Sequence, residues 1–319
     1  MRIVYFGSGE FGLPTLRYLR DAHELLTVVT QPDRPAGRHR KMTPTPIGAW
    51  TQSQGISAHR CEDVNAASFI DQMRGIHADA AVIVAFGQKL SDTLITATGR
   101  LVVNLHASLL PKYRGAAPIN QAMINDERET GVSVISLAQR MDAGLIYAQA
   151  TTPIDPQETA GELHDRLALM GPKVIDKVLD DHDSGRLHGD PQDESRVTRA
   201  GKLSKADAWV DFDAPAKQVR ARIHGLTPWP GVQVDWVQRE SEKSRPLRLL
   251  RVRDEPNRQH DAAPGTILED HTVAVRHGGV QLLEVQVPGG RPMTIDDFIR
   301  GHPMRPGDVL NKPGVSPRP

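Results

Sequence analysis

An amide, an imidazole and a carboxylate are spaced in this chain so that they can meet at one edge of a sheet. Asn104 and His106 lie two residues apart at the end of an apolar run, so in a strand their side chains point to the same face. Asp142 follows another strand-like run, in the short segment Met141-Asp142-Ala143-Gly144. Because open α/β sheets bind ligands at the carboxyl ends of their strands, we expect these side chains to converge there.

Such a trio suits the transfer of an acyl or formyl group to an amine. Attack on the carbonyl carbon creates a tetrahedral oxyanion, to which the Asn104 amide and a protonated His106 can donate hydrogen bonds. Removing one such donor typically costs about 3 kcal/mol of transition-state stabilisation. Asp142 can orient the His106 ring, favour its charged form and help to move the proton of the attacking amine.

Each of these residues also has an ordinary structural interpretation. A single histidine after a strand is often structural, an asparagine at a strand end often caps a turn, and an aspartate before Ala-Gly often begins one. The functional interpretation therefore depends on the combination of Asn104, His106 and Asp142 with the sequence around them.

The first 180 residues alternate between strand-like and helix-like patterns, which predicts an α/β core with a doubly wound, mostly parallel sheet. Short apolar runs rich in Val and Ile predict buried strands at residues 3–6, 25–30, 80–85, 101–105, 132–137 and 145–150. Amphipathic patterns predict helices at residues 13–20, 45–54, 65–74 and 159–179.

The composition turns polar and charged near residue 181, which predicts a linker before a smaller domain. A helix is expected at residues 214–224, and short strands separated by Gly and Pro predict a small β-barrel. Those strands are expected at residues 232–237, 247–252, 265–268, 273–276 and 280–287. We predict a catalytic domain over residues 1–188, a linker over 189–206 and a barrel domain over 207–312.

The segment Gly7-Ser8-Gly9-Glu10-Phe11-Gly12 follows a predicted strand and precedes a predicted helix. Its spacing matches a dinucleotide-binding fingerprint, and Asp33 is an acid at a suitable distance. Asp33, however, lies inside a Pro-rich segment and not at a clear strand end. A turn that faces a phosphate, or a turn with a structural role, explains the glycines better than a nicotinamide cofactor does.

Composition narrows the class of protein. The 319 residues carry 39 Lys plus Arg against 39 Asp plus Glu, so the chain as a whole is not basic. The single cysteine, Cys61, excludes an intrachain disulfide and a Cys-based zinc cluster, and the His residues show no metal-ligand spacing. Without a signal-peptide pattern or a long apolar run, we expect a cytoplasmic protein that does not enter membranes. We also expect a monomer.

At the catalytic candidates the chain resembles the folate-dependent formyltransferases. The most specific stretch runs from Ser108-Leu109-Leu110-Pro111 to Gly115-Ala116-Ala117-Pro118-Ile119. Further matching segments extend over most of the chain: Gln31-Pro32-Asp33-Arg34-Pro35-Ala36-Gly37-Arg38, Asn104-Leu105-His106, Glu129-Thr130-Gly131-Val132, Met141-Asp142-Ala143-Gly144, Lys202-Leu203-Ser204-Lys205 and Pro228-Trp229-Pro230.

The resemblance implies roles for individual residues. Asn104, His106 and Asp142 match the family's catalytic trio. The residues Ser108, Leu109, Leu110 and Pro111 match the loop beside the folate and its formyl group, and Phe86 and Gly87 fall where the family lines its pterin pocket. The implied reaction moves the formyl group of 10-formyltetrahydrofolate to the amino group of initiator methionyl-tRNA.

The resemblance also implies an RNA-binding role for a basic loop. Arg38, with Arg34, Arg40 and Lys41, matches the loop that the tRNA-dependent members insert into the acceptor arm, and prolines stiffen this segment. Lys202 and Lys205 lie before the second domain, which resembles the barrel that holds the tRNA from the other side. Residues 194–260 contain 14 Lys or Arg against 9 Asp or Glu, a modest positive surplus.

Three departures from the family pattern stand near the site. Gln139-Arg140-Met141 precedes Asp142 where the family commonly has Gly-Leu, and Arg140 places a cation near the acid. Leu90-Ser91 replaces a common Leu-Pro, and Gly7-Ser8-Gly9 replaces a common Gly-Thr-Pro. These differences concern the pterin pocket and the electrostatics of the acid more than the trio itself.

Three other functions fit parts of the sequence. An amino-sugar nucleotide formyltransferase would keep the chemistry and change the acceptor, but the basic loop and Lys202 to Lys205 argue against it. An NAD-dependent oxidoreductase would use the glycine turn at residues 7–12. A non-catalytic RNA-binding protein would leave the Asn-His-Asp trio without a role.

Overall fold

A computed structural model describes residues 1–37 and 40–314. The chain divides into two compact units, each of which is assembled from several segments. The first unit contains Met1–Arg114, Gly131–Thr152 and His164–Arg199. The second contains Gly115–Thr130, Pro153–Leu163 and the described residues from Ala200 onward.

The strands up to residue 200 include the predicted ones and several short additions. They are β1 (Arg2–Gly7), β2 (Glu24–Thr30), β3 (Arg34–Ala36), β4 (Lys41–Thr43), β5 (Ala58–Arg60), β6 (Ala80–Val84), β7 (Leu101–His106), β8 (Arg114–Gly115), β9 (Glu129–Ser136), β10 (Ile146–Pro153) and β11 (Arg199–Ala200).

The first unit is built on a seven-stranded sheet in the order β10-β9-β7-β6-β1-β2-β5. Neighbouring strands from β5 to β7 are parallel, and β9 runs antiparallel to β7. The predicted doubly wound, mostly parallel sheet is therefore confirmed. Its parallel part aligns the carboxyl ends of β1, β6 and β7 at one edge, which is where the candidate site lies.

The central strands are continuous apolar runs because helices must cover both faces of such a sheet. Every residue of β6 is buried, and Ile3 to Phe6 of β1 are at most 1% exposed. Phe6 and Ile83 pack with Met73 and Leu94 from two flanking helices in one core cluster. This rigid packing fixes the strand ends that carry the site residues.

The helices begin and end at recognisable sequence signals. They are α1 (Leu13–Ala22), α2 (Pro46–Ser53), α3 (Ala67–Ile76), α4 (Asp92–Thr98), α5 (Pro118–Ile124), α6 (Ala160–Asp183), α7 (Ala216–Gly225) and α8 (Ile295–Gly301). Thr45 caps α2, since its Oγ1 accepts a hydrogen bond from the N–H of Gly48 at 2.9 Å. Ser91 caps α4 in the same way through Leu94.

The second unit contains an antiparallel sheet in the order β14-β15-β13-β12-β17, with β16 added beside β15. Its strands are β12 (Val232–Val237), β13 (Ser244–Glu255), β14 (Thr272–Ala274), β15 (Gly279–Gln286), β16 (Met293–Thr294) and β17 (Val309–Asn311). Thr266 bridges to Val309 of β17 and Ile267 bridges to Val273 of β14. These bridges nearly close the sheet, so the barrel-like architecture is confirmed.

Helix α7 supplies much of the core of this second unit. Val219 and Ile223 of α7 pack with Trp236 and Leu249 from the sheet and with Phe298 of α8. The indole N–H of Trp236 donates to the buried Asp308 carboxylate at 2.9 Å, which satisfies the polar edge of the largest buried side chain.

Some predicted elements were wrong in extent. Residues 265–268 form isolated bridges and not a continuous strand. The strand predicted at 273–276 is β14, which ends at Ala274. The short helices α4, α5 and α8 were missed, because seven residues are too few to show a clear helical period.

Candidate active site

The carboxyl end of β7 places Asn104 and His106 beside the loops that follow β1 and β6. The register pairs Asn104 with Ile83 of β6 and His106 with Ser133 of β9. The two candidate side chains therefore project from one strand in a well-packed sheet. Asp142 lies in the loop between β9 and β10, with its Oδ2 3.7 Å from Nδ1 of His106.

The His106 ring lies between a carbonyl and a carboxylate. Its Nε2 is 2.9 Å from the carbonyl oxygen of Tyr113, and its Nδ1 is 3.7 Å from Oδ2 of Asp142. The side chains of His106 and Asp142 are only 7% and 14% exposed. Because a carbonyl oxygen can only accept, Nε2 carries a hydrogen here, and a protonated ring would direct its second N–H toward Asp142.

The side chain of Asn104, two residues before His106 on β7, is half-buried. Within residues 1–37 and 40–314, no hydrogen-bond partner is found for its amide. An amide donor at a strand end, held by a rigid sheet and available to a ligand, has the character required of an oxyanion donor.

The backbone at Asp142 adopts a left-handed conformation, with φ of 54°. This region is uncommon for a residue other than glycine. The turn that follows is tight, since a Cβ on Gly144 would collide with the backbone oxygen of Ser136. Ser136 Oγ also accepts a hydrogen bond from the N–H of Leu145 at 2.8 Å. The position of the carboxylate is thus set by a compact β9–β10 connection.

Arg140 is directed to a different carboxylate. Its Nη1 lies 3.1 Å from Oε2 of Glu194, while Nη2 of Arg114 lies 2.9 Å from Oε1 of the same residue. The hydrogen bond from the Arg114 guanidinium holds the pKa of the Glu194 carboxyl below its ordinary value. The Arg140 cation that departs from the family pattern is therefore paired with Glu194.

The loop from Ser108 to Pro111 is fixed by two residues of the neighbouring strands. The hydroxyl of Ser133 donates to the Ser108 carbonyl at 2.6 Å and accepts from the N–H of Leu110 at 3.1 Å. The Gln149 amide donates to the Leu110 carbonyl at 3.0 Å and to Ser133 Oγ at 2.8 Å. Sequence reasoning missed Ser133 and Gln149, whose contacts span 16 to 39 residues.

The segment after β6 presents its backbone to the site edge. The Phe86 side chain is buried against Phe6, with ring centroids 5.4 Å apart. The carbonyl of Phe86 accepts hydrogen bonds from Ser8 Oγ at 3.0 Å and from the Gln31 amide at 2.9 Å. Gly87 has φ of 86°, and a Cβ there would collide with Gln31. Phe86 and Gly87 thus shape this edge through backbone conformation.

The opening glycine turn is explained by Tyr5. The Tyr5 hydroxyl donates to the Gly12 carbonyl at 3.0 Å. A Cβ on either Gly7 or Gly12 would collide with the Tyr5 ring or hydroxyl. Burial raises the pKa of Tyr5 above its ordinary value. A structural role of this turn therefore explains Gly7 and Gly12.

The basic residues predicted to bind RNA are exposed where they are described. Arg34 and Lys41 belong to the β3–β4 hairpin, and Arg34 pairs with Glu62 at 2.6 Å. Arg40 has φ of 48° in the turn of that hairpin. Arg38 lies outside the described residues. Lys202 and Lys205 are exposed in the second unit, and Lys205 begins a short turn that Ser204 and Asp207 cap reciprocally.

Two further features concern ligands and membranes. Among residues 1–37 and 40–314, no group of three or more His, Cys, Asp or Glu side chains is arranged to hold a metal ion. In that same described part of the chain, no helix combines the length and the apolar character needed to cross a membrane.

Two family profiles match nearly all of the chain. The profile described as formyl transferase matches residues 1–179, and that described as formyl transferase, C-terminal domain, matches residues 202–303. The methionyl-tRNA formyltransferase of Trichlorobacter lovleyi is 37% identical over 314 residues, covering 97% of this chain and 96% of the relative. That of Moorella thermoacetica is also 37% identical over 314 residues, covering 97% and 99%.

Solved structures with the same fold are more distant in sequence. An N-formyltransferase from Helicobacter canadensis, solved with folinic acid and dTDP-3-aminofucose, superimposes with a TM-score of 0.66 at 13% identity, covering 89% of this chain and 98% of that one. HypX from Aquifex aeolicus, solved with tetrahydrofolic acid, gives 0.61 at 15% identity and covers 94% of this chain and 47% of its own. These likenesses establish the fold alone.

Proposed function

The chain belongs to the formyl transferase family, and from that membership we propose that it formylates the amino group of initiator methionyl-tRNA with 10-formyltetrahydrofolate as donor. The observation that carries the proposal is the convergence of Asn104, His106 and Asp142 at the carboxyl edge of the sheet. The tRNA acceptor is supported by the 37% identity to methionyl-tRNA formyltransferases over nearly the whole chain.

The reaction needs an oxyanion donor and a route for one proton. The methionyl amine attacks the formyl carbon and forms a new C–N bond, and the carbonyl oxygen becomes an oxyanion. The bond between that carbon and the folate nitrogen then breaks, and the nitrogen takes up a proton. The products are the N-formylated aminoacyl-tRNA and tetrahydrofolate, so atoms and charge balance.

Asn104 and His106 are assigned to the oxyanion. The Asn104 amide makes no other hydrogen bond within residues 1–37 and 40–314, so it can donate without first breaking a protein contact. Nε2 of His106 contacts the Tyr113 carbonyl at 2.9 Å. His106 donates a second hydrogen bond to the oxyanion when this contact is exchanged for one to the substrate. Such contacts commonly tighten only when the substrate is in place.

Asp142 is assigned to the proton. Its Oδ2 is 3.7 Å from Nδ1 of His106, which is close enough to stabilise an imidazolium and to accept a proton through a small movement. The low exposure of both side chains strengthens this electrostatic interaction. The attacking amine must lose a proton as its bond to carbon forms, and the His106–Asp142 pair is the nearest acceptor in the trio.

The folate site is proposed along the same edge. The loop Ser108 to Pro111 faces the reacting group, and Phe86 and Gly87 shape the pterin pocket through their backbone. The bonds from Ser133 and Gln149 to that loop, and from Gln31 to Phe86, support the assignment because they hold both segments in fixed positions.

RNA binding is proposed for Arg34, Arg38, Arg40 and Lys41 in one unit and for Lys202 and Lys205 in the other. A short hairpin rich in cations suits contact with phosphates of an acceptor arm. We further propose a catalytic domain over residues 1–188, a linker over 189–206, a tRNA-binding domain over 207–312, and action as a cytoplasmic monomer without a bound metal.

The decisive experiment incubates the protein with 10-formyltetrahydrofolate and radiolabelled methionyl initiator tRNA, beside elongator methionyl-tRNA. Formylmethionine from the initiator but not from the elongator is expected. Folate binding without product from either tRNA would redirect the proposal to an amino-sugar nucleotide, which is tested with a dTDP-amino sugar as acceptor. Absence of both product and folate binding would overturn the assignment of the site.

A further inference from the structure

The side-chain amide of Gln192 binds two backbone carbonyls of the turn that carries Asp142. Nε2 of Gln192 donates to the backbone oxygen of Asp142 at 2.8 Å and to that of Gly144 at 2.8 Å. Gln192 is half-buried and lies 50 residues beyond Asp142 in the sequence. Each hydrogen of its amide thus finds a carbonyl of the same tight turn.

The orientation of the Gln192 amide is fixed by Arg114. Oε1 of Gln192 accepts from Nε of Arg114 at 2.9 Å and from Nη2 at 2.7 Å. A guanidinium can only donate and a carbonyl can only accept, so the amide oxygen must face Arg114 and the amide nitrogen must face the turn. Arg114 is itself 8% exposed and is anchored by Glu194 at 2.9 Å.

The turn needs such support. Asp142 has φ of 54°, a conformation that costs free energy in residues with a Cβ and persists where surrounding contacts hold it. Gly144 packs so closely on Ser136 that the turn has little room to shift. A bond to the carbonyls at either end of Asp142-Ala143-Gly144 fixes the backbone from which the carboxylate projects toward His106.

We propose that Gln192, oriented by Arg114, is a positioning residue for the reaction, which acts by fixing the Asp142–Gly144 turn and therefore the distance from the Asp142 carboxylate to His106. This inference rests on the proposed function of the trio. Misplacing a catalytic group by about 1 Å can cost about 100-fold in rate, so loss of the Gln192 amide should lower kcat without removing a group that touches substrate.

The test is Gln192→Glu. A carboxylate still pairs with Arg114, but it has no hydrogen to donate to the two carbonyls. We expect kcat for formylation to fall by about 10- to 100-fold, while KM for the folate donor and for tRNA changes by less than about threefold. The matched control is Gln72→Glu on the exposed face of α3, which should leave kcat unchanged.

A double-mutant cycle separates positioning from a general structural role. If Gln192 acts through Asp142, Gln192→Glu should add less than about twofold to the loss already caused by Asp142→Asn. The proposal would be overturned if kcat of the double variant fell by the full product of the two single-variant losses. It would also be overturned if the Gln192→Glu protein kept a wild-type kcat. If that variant does not fold, Gln192→Ala is assayed in its place, with the same criteria.

Failure of this inference is distinguishable from failure of the proposed function. Wild-type protein that forms no formylmethionyl-tRNA in the parallel assay would contradict the proposed function. Active wild-type protein together with active Gln192 variants would contradict the positioning role alone.

Discussion

Nδ1 of His106 lies 3.7 Å from Oδ2 of Asp142, while Nε2 on the other side of the ring faces the carbonyl of Tyr113. The Tyr113 contact requires a hydrogen on Nε2, so a neutral ring would turn a lone pair toward the carboxylate. A ring protonated on both nitrogens satisfies both neighbours. Both ring nitrogens of His106 therefore face oxygen atoms of the protein, which places the ring where it can donate to an oxyanion and pass on one proton.

Asp142→Asn keeps the size of this side chain and removes its charge. We expect kcat to fall by about 10²- to 10⁴-fold, the usual range for loss of a general acid or base, with little change in substrate KM. Steady-state formylation kinetics measure it. Asp92→Asn on the exposed start of α4 is the matched control. An Asp142→Asn protein with nearly wild-type kcat would remove the carboxylate from the mechanism.

Asn104→Ala should lower kcat and leave the stability of the protein nearly unchanged. The Asn104 amide has no hydrogen-bond partner within residues 1–37 and 40–314, so its loss should change the free energy of unfolding by no more than about 0.5 kcal/mol. As an oxyanion donor it should nevertheless lower the activation barrier by about 3 kcal/mol, so its loss should reduce kcat by about 10²- to 10³-fold. Urea unfolding and formylation assays on the same protein check both numbers. A large loss of stability with unchanged kcat would assign Asn104 a structural role.

The convergence of Asn104 and His106 could be predicted because two general rules apply to it. Side chains alternate along a strand, and parallel strands end at one edge of the sheet. Both rules concern local sequence and regular structure. The alignment of the Ser108–Pro111 segment with its family motif likewise required only local residues.

The supporting contacts could not be predicted in this way. Gln192 reaches Asp142 over 50 residues and Gln149 reaches Leu110 over 39 residues, and neither distance follows any helix or strand period. The Tyr113 carbonyl that contacts His106 belongs to a loop, and no sequence pattern predicts the backbone course of that loop. Residues 265–268 were predicted as a strand because their apolar spacing fits one, but they form only isolated bridges.

The buried His224 should make stability depend on pH. Its Nδ1 lies 3.1 Å from the Pro156 carbonyl, and its Nε2 accepts from the N–H of Val252 at 3.0 Å, so both nitrogens are occupied in the neutral ring. Burial, with added repulsion from Arg220 and Arg251, lowers the pKa of His224 to about 4. Protonation would remove the acceptor that Val252 uses.

The sign of the effect follows from the lowered pKa. Above pH 6.5 the ring is neutral in both the folded and the unfolded chain, and its contribution is fully present. Between pH 6.5 and about 4 only the unfolded chain binds the proton, so the free energy of unfolding should fall by about 3 kcal/mol in total. Denaturant unfolding at several pH values should show this loss in the wild type. His224→Gln, which offers a donor and an acceptor without titrating, should show a smaller loss. Equal pH profiles would contradict the prediction.

The β3–β4 hairpin should bind tRNA without affecting the folate donor. Arg40→Ala combined with Lys41→Ala removes two cations of the hairpin, so KM for tRNA should rise. The slope of log affinity against log salt should weaken by about two. KM for 10-formyltetrahydrofolate should stay within about twofold. Lys173→Ala on α6 is the control for loss of an exposed cation. Equal loss of tRNA and folate binding would mean that the hairpin supports the whole site.

Gly144 should be intolerant of any side chain. A Cβ at Gly144 would collide with the backbone oxygen of Ser136, which cannot move without distorting the end of β9. Gly144→Ala should therefore lower the free energy of unfolding by about 1–3 kcal/mol. The substitution should also displace Asp142, so kcat of the folded fraction should fall as well. Thermal unfolding and single-turnover formylation measure the two effects.

Gly75, near the end of α3, provides the matched control for this substitution. Apart from its chain neighbours and the nearby backbone of α3, a Cβ added there would meet no atom of the described residues within 4 Å, and the φ of Gly75 is not positive. Gly75→Ala should stabilise the protein by up to about 1 kcal/mol and leave kcat unchanged, since alanine favours a helix more than glycine does. If Gly144→Ala proved as stable and as active as Gly75→Ala, the turn could relax, and the position of Asp142 would be less tightly set than its contacts imply.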